Sequence, residues 1–260
     1  LQRVAALRVR FIHNVVVSVT TLLVGAFSLF ALLGGTTSGA AYEGRNFYGV
    51  VRVKEINPGD AEWQGYNLAH GITVHGFQFS APDKRRLPTA YYTEQSGVGL
   101  TLLNHPRRGQ GLKVGLLGLG IGTLAVYGQP GDAYRLYEIN PLVADLAKGQ
   151  GGFFSYLADS AAQTTVVLGD ARISLERETP NNFDVLVLDT FSSDSIPVHL
   201  VTREAFAIYL QHLAPDGLLA AHISNRHLDL RPVFWKLAEY YRLEMVVIET
   251  AGDGRRVSPS

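Results

Sequence analysis

The sequence predicts an α/β fold in which helices cover a parallel sheet, with a small β-rich subdomain and an apolar helix ahead of it. Three observations carry that expectation. From residue 112 onward, short apolar runs alternate with amphipathic or capped segments, the pattern of a sheet covered by helices. One apolar run, Val114 to Leu117, leads straight into Gly118, Gly120 and Gly122. Three others end at or beside an acid: Glu138, Asp170 and Asp189. Ligands of open α/β sheets bind beyond the carboxyl ends of the strands, so these acids and glycines mark one side of one site.

The N-terminal segment is set apart by composition. From Phe11 to Tyr42 there is no Asp, Glu, Lys or Arg, and Val15 to Leu33 is almost wholly apolar. A bilayer-crossing helix needs about 20 such residues. Arg3, Arg8 and Arg10 precede the run, as basic residues precede the apolar centre of a signal peptide, but that centre is usually only about 7–15 residues long. A buried soluble helix is a third reading. Length favours a transmembrane helix, with membrane contact through residues 11–33 and an integral membrane location. Arg45, Arg52 and Lys54 lie on the far side, so charge bias does not fix the orientation.

Gly34 to Gly44 reads as a linker, giving a first division at residues 1–44. Phe47 to Glu55 alternates, with Val51 and Val53 on one side and Arg52 and Lys54 on the other, which predicts a strand. Asn57-Pro58-Gly59-Asp60 is a turn. Tyr66 to Phe79 predicts one or two further strands with Gly71 and Gly76 as turns, and Tyr91 to Leu103 a helix. Residues 45–105 are thus a small β-rich subdomain, and residues 106–260 a larger domain.

In that larger domain Tyr134 to Tyr137 is a second strand, ending on Glu138. Pro141 opens a helix at a position where proline is tolerated. Thr164 to Leu168, Phe183 to Leu188, Gly217 to Ile223 and Glu244 to Ile248 are strands three to six, and Thr202 to Leu213 is an amphipathic helix. The chain ends at Ser260, before any seventh strand.

Glycine lets the backbone turn tightly and approach a ligand without a Cβ in the way, and a following helix aims free N–H groups at it. The spacing is Gly-x-Gly-x-Gly rather than the dinucleotide pattern Gly-x-Gly-x-x-Gly, and no Walker lysine follows. This favours a Rossmann-like, S-adenosylmethionine-dependent transferase fold. An acid closing the second strand suits the two hydroxyls of a ribose; capping the next helix is the plainer role open to Glu138. Asp170, followed by Ala171, suits an adenine amino group, and equally an N-cap. Asp189 and Asp194 flank a loop of Ser, Thr and Phe at the cleft mouth, where paired carboxylates can hold a cationic amine and take its proton. His70, His75 and His199 are weaker candidates, and Tyr91 and Tyr92 suit either an acceptor pocket or a core.

Composition narrows the chemistry. Basic and acidic residues balance at 23 each, with no basic stripe for nucleic acid. There is no cysteine, which removes disulfides, thiolate catalysis and cysteine zinc sites. The eight histidines show no ligand spacing, so no metal is expected.

Several segments together resemble a known family: Asn46-Phe47-Tyr48-Gly49-Val50, His75-Gly76-Phe77-Gln78, Tyr92-Thr93-Glu94, the Gly118–Gly122 loop, Glu138-Ile139-Asn140-Pro141, Gly169-Asp170-Ala171, and Asp189, Asp194 and Pro197. From about residue 46 to 248 the chain is similar to spermidine synthases (polyamine aminopropyltransferases), and most similar to the branch in which membrane helices precede the synthase-like domain. The resemblance implies transfer of an aminopropyl group from decarboxylated S-adenosylmethionine to a polyamine acceptor such as putrescine. It assigns catalysis to Asp189 and Asp194, cofactor contacts to Gly118, Gly120, Gly122, Glu138, Asp170 and Ala171, and amine contacts to Tyr92, Glu94 and Gln78. A cofactor of the S-adenosylmethionine type is cytoplasmic, which argues for a catalytic domain facing the cytoplasm, and a homodimer is a further expectation. The sequence departs from the family at Ile121, where an acid usually binds the cofactor's free amine, at Thr93 in place of histidine, and at Gly49 in place of glutamine. Two other readings are an S-adenosylmethionine-dependent methyltransferase and a non-catalytic nucleoside- or polyamine-binding domain regulating an attached membrane part.

Overall fold

The computed structural model describes residues 14–29, 39–71, 73–190, 196–224 and 228–250. The chain divides into two compact units at residue 40. The first contains helix α1, residues 14–29, whose side chains are exposed throughout. No helix among the described residues is long and apolar enough to cross a membrane. The expected span of residues 11–33 is therefore not carried by them; its ends lie outside the described residues.

The second unit, from Ala41 on, holds two sheets. The smaller has four strands in the order β1 (Ala40–Asn46), β2 (Gly49–Ile56), β3 (Gly65–His70), β4 (Thr73–Phe79). β2 pairs with β3 and β3 with β4, both antiparallel. The alternation read over residues 47–55 is realised in β2, where Val51 and Val53 are buried. β1 forms within what composition marked as linker. Gly71 lies at the β3–β4 turn, whereas Gly76 sits inside β4. The segment expected as one helix from Tyr91 to Leu103 is broken into a 3₁₀ turn at Ala90–Tyr92 and helix α2 (Gly97–Asn104). The Ser96 side chain accepts from the Gly99 N–H and caps α2.

The larger sheet has five parallel strands, β5 (Lys113–Leu117), β6 (Ala133–Glu138), β7 (Gln163–Leu168), β8 (Phe183–Leu188) and β9 (Leu213–Ala221). Their order is β7-β6-β5-β8-β9, so the winding reverses between β5 and β8. Helices α3 (Pro141–Ala147), α4 (Ala171–Arg177), α5 (Arg203–His212) and α6 (Arg231–Tyr241) complete the unit. Alternate residues of the strands feed opposite faces. Val114, Leu116, Val185 and Val187 pack with Leu102 of α2 and Ala144 of α3. Leu117, Leu186 and Leu188 pack with Leu175 of α4, Phe206 of α5 and Phe234 of α6. A sheet covered on both faces explains why β8 is buried at every position.

Residues 244–248 do not form the sixth strand that the sequence suggests; they pair with no strand, and Val246 is exposed. Their apolar residues gave the appearance of a strand, but nothing in the register of β9 engages them. A third apolar cluster joins the small sheet to the larger domain: Val51, Val53 and Leu68 meet Ile121 of the glycine loop, Val143 and Leu146 of α3, and Tyr156.

Candidate functional site

The carboxyl ends of the parallel strands converge on one cleft at the point where the winding reverses, the place such sheets offer to a ligand. Four of the five strands deliver a residue there. Gly118 follows β5, Glu138 closes β6, Gly169 and Asp170 follow β7, and Asp189 and Thr190 follow β8; all line the cleft. Tyr48, His70 and His75 of the small sheet line it too, as do Asn140, Ala171 and His199.

The glycine loop is built around two close approaches. Gly118 has φ +99°, and a Cβ there would lie 2.1 Å from the Asp189 carbonyl oxygen. Gly120 has φ +55°, and its Cβ would lie 2.9 Å from the His75 carbonyl oxygen. The first brings the β5 and β8 ends together and the second seats the small sheet on the loop. Gly122 does not line the cleft; it precedes a 3₁₀ turn, Thr123–Tyr127. The helix expected after the glycines is thus a single tight turn.

Glu138 receives the loop's donors instead. Its Oε2 accepts from the Leu119 N–H at 3.2 Å and its Oε1 from the Asn140 N–H at 2.8 Å. Burial raises its carboxyl above the usual range, against the pull of these backbone donors. Asn140 caps α3 by accepting from Leu142 N–H at 3.1 Å, and its Oδ1 also accepts from Asn46 Nδ2 at 2.7 Å. Its own Nδ2 is buried at the cleft wall with no partner, a donor available to a ligand. Asp170 takes the N-cap role read for it: Oδ1 caps α4 through the Ile173 N–H at 3.0 Å, while Oδ2 lies 3.0 Å from His199 Nε2, and the residue lines the cleft.

Asp189 is the centre of a second group. Its side chain is only 7% exposed. Tyr92 donates its hydroxyl to Oδ2, and His222 Nδ1 stands 2.9 Å from Oδ1. Burial, then the charge of Asp189, holds the Tyr92 phenol well above its ordinary pKa, so it stays a donor. Tyr91 stacks on His222 with ring centroids 4.0 Å apart. Across the cleft, burial and then neighbouring His70 push the His75 imidazole down to about 4, with Asp189 pulling the other way. His75 is neutral at physiological pH, and its Nε2 is buried without a partner.

Of the amine-side residues named from sequence, Tyr92 reaches Asp189. Gln78 does not line the cleft: its Nε2 donates to Arg85 O at 2.6 Å and Ser155 Oγ at 2.9 Å, and its Oε1 accepts from Ser155 N–H at 2.8 Å. Every polar atom of Gln78 is spent bracing β4. Glu94 is half-buried and not on the cleft wall. Asp194 lies outside the described residues. Ile121 is 1% exposed and faces the small sheet, not the cleft. His222 was not singled out from sequence. The rule that marks Asp189, a polar residue closing an apolar strand, finds it too, after Leu218 to Ala221.

Fold and site together define a class: a Rossmann-like α/β domain with a small antiparallel sheet set on its glycine loop. Known relatives narrow it. The chain is 27% identical over 159 residues to a polyamine aminopropyltransferase of Vibrio vulnificus, covering 60% of this chain and 50% of that protein. It is 25% identical over 224 residues to a probable polyamine aminopropyl transferase of Bifidobacterium longum, covering 85% and 45%. The chain thus spans about half the length of these curated relatives. Among solved structures it shares its fold with a probable spermidine synthase of Corynebacterium glutamicum (TM-score 0.58, 22% identity, covering 79% of this chain and 71% of that one). The Thermotoga maritima spermidine synthase is similar (0.54, 23%, 79% and 63%), as is a spermidine synthase in complex with the transition state analogue AdoDATO (0.53, 21%, 79% and 62%). No protein-family model matches the chain.

Proposed function

We propose that this chain is the transferase domain of an aminopropyltransferase, moving an aminopropyl group from decarboxylated S-adenosylmethionine to a di- or polyamine. The observation that carries the reading is the placement of Asp189, a buried carboxylate gripped by Tyr92 and His222, in the same cleft as Glu138. Glu138 has lone pairs left to accept both ribose hydroxyls, and Asn140 Nδ2 is a free donor beside it. Asp170 and Ala171 line the same cleft, and on this reading they contact the base.

The chemistry is one displacement. The acceptor amine's lone pair forms a bond to the carbon next to the sulfonium; the carbon–sulfur bond breaks and its electron pair returns to sulfur, leaving a neutral thioether. The sulfonium leaves readily, so the chain must align the amine with that carbon and remove its proton. Asp189 accepts the proton. Asp194, by resemblance the second acid of the loop, shares the ammonium charge.

A second reading is methyl transfer from intact S-adenosylmethionine, with which the loop Gly118-Leu119-Gly120-Ile121-Gly122-Thr123-Leu124 is compatible. The test is direct. Purified protein is titrated with each nucleoside, then incubated with decarboxylated S-adenosylmethionine and putrescine, spermidine or other amines, and the products are resolved by mass. Aminopropylated amine together with methylthioadenosine supports the first reading; tight binding of intact S-adenosylmethionine alone replaces it with the second.

The exposed apolar side chains of α1 support a further proposal, that the domain is tethered to a membrane through residues 11–33 with its cleft in the cytoplasm. Release of the full chain by alkaline carbonate would overturn it.

A further inference from the structure

Granted amine transfer in this cleft as read above, we propose that His222 is a positioning residue that fixes the Asp189 carboxylate for receipt of the amine proton. β8 and β9 run parallel with Leu188 opposite Ala221. Asp189 and His222 are the next residues on the two strands, and the His222 N–H donates to Leu188 O at 2.9 Å, carrying the ladder one step further. Their side chains therefore emerge side by side, with Nδ1 2.9 Å from Oδ1. An ionised carboxylate only accepts hydrogen bonds, so an imidazole carrying a single proton holds it on Nδ1. Nε2 is then the acceptor, and the Ser224 hydroxyl donates to it.

The imidazole is itself held in place. Tyr91 stacks on it with an interplanar angle of 27°, and the Tyr92 and Tyr91 hydroxyls are 3.2 Å apart. Tyr92 in turn donates to the other oxygen of Asp189. The carboxylate is thus held at both oxygens by donors from separate elements, and its plane cannot turn. Each oxygen keeps a second lone pair, and Asp189 stands on the cleft wall. Without His222, Oδ1 loses its donor and the carboxylate swings about its remaining bond to Tyr92. Misplacement of a reacting group by about 1 Å costs on the order of 100-fold in rate.

Two variants and one spectrum test this. His222→Ala is expected to lower kcat about 100-fold with little change in KM for the nucleoside co-substrate. His222→Asn places an amide N–H where Nδ1 stands and is expected to recover at least about tenfold of that loss, the worth of a hydrogen bond to a charged acceptor. Wild-type kcat in His222→Ala, a loss confined to KM, or an Asn variant no better than Ala would overturn the proposal. Nitrogen-15 NMR of the histidine ring reads the pairing without turnover. The wild type should show the Nδ1–H tautomer, and Asp189→Ala should lose it; an Nε2–H tautomer in the wild type refutes the pairing. Absence of aminopropyl product from wild-type protein with every amine would instead sink the functional reading, while the NMR result still decides the pairing.

Discussion

Restoring the family's acid at position 121 separates two ideas about this cleft. Ile121 is 1% exposed and packs against Val51, Val53 and Leu68 of the small sheet and against Val143 and Leu146 of α3. Its Cγ1 lies 3.1 Å from where a Cβ on Gly76 would stand. Ile121→Asp removes an apolar side chain whose burial stabilises by about 1.5–3 kcal/mol and leaves a carboxyl with no partner, costing about 1–3 kcal/mol more. A loss of about 2.5–6 kcal/mol follows, large against a total stability of roughly 5–15 kcal/mol. With a urea dependence on the order of 3 kcal/mol per molar, the unfolding midpoint should fall by about 0.8–2 M. Ile121→Val, which keeps the packing, should cost only about 0.5–1.5 kcal/mol. The paired readout is affinity for decarboxylated S-adenosylmethionine, which should not improve in Ile121→Asp, since the side chain points away from the cleft. An unchanged midpoint together with tighter binding of the amine-bearing nucleoside would refute the reasoning and place position 121 in the ligand site.

Asp189→Asn should lower kcat by about 100- to 10,000-fold, the usual worth of a positioned base, while nucleoside affinity measured by calorimetry stays close to wild type. Gly118→Ala meets a φ of +99° and an Asp189 carbonyl oxygen 2.1 Å from the new Cβ. The strain is about 1–3 kcal/mol, and scanning calorimetry should show Tm lower by about 2–4 °C per kcal/mol, with turnover falling because the end of β8 must shift. His75 is held from its ordinary 6.5 down to about 4, so its folded state resists a proton that the unfolded chain accepts. Its stabilising contribution is full above pH 6.5 and is lost as pH falls toward about 4, on the order of 3 kcal/mol at most. Urea midpoints for wild type and His75→Phe between pH 7 and 4 should show the wild type losing more; parallel curves would contradict this.

Local chemistry made part of this site legible. The run from Val114 into Gly118 and the acids closing strands at Glu138 and Asp189 are signals that each strand carries by itself. The parallel sheet follows from them, because alternation and strand-end polarity do not depend on partners. What depends on partners was hidden. Gln78 looks like a site residue in its motif, yet Ser155 and Arg85 engage all its polar atoms. His222 is adjacent to Asp189 only through the β8–β9 register. β1 was concealed by glycine and alanine, whose strand propensity is low, although pairing with β2 fixes it. Residues 244–248 show the converse error, an apolar segment with strand composition that no ladder takes up. The short 3₁₀ turn after Gly122 also escaped notice, since residues 123–127 are compatible with either helix type.

The register between β8 and β9 also sets what this domain can vary. Asp189 and His222 meet because two hydrogen-bonded strands end at the same height, not because a loop folds one onto the other. Loops beyond those ends can lengthen, shorten or change composition, and so change what the cleft admits, without separating the pair. A slip of one residue in the ladder would instead send the two side chains to opposite faces of the sheet. Selectivity is therefore an accessory of the rim, open to redesign, while the Asp189–His222 pairing is a property of the frame.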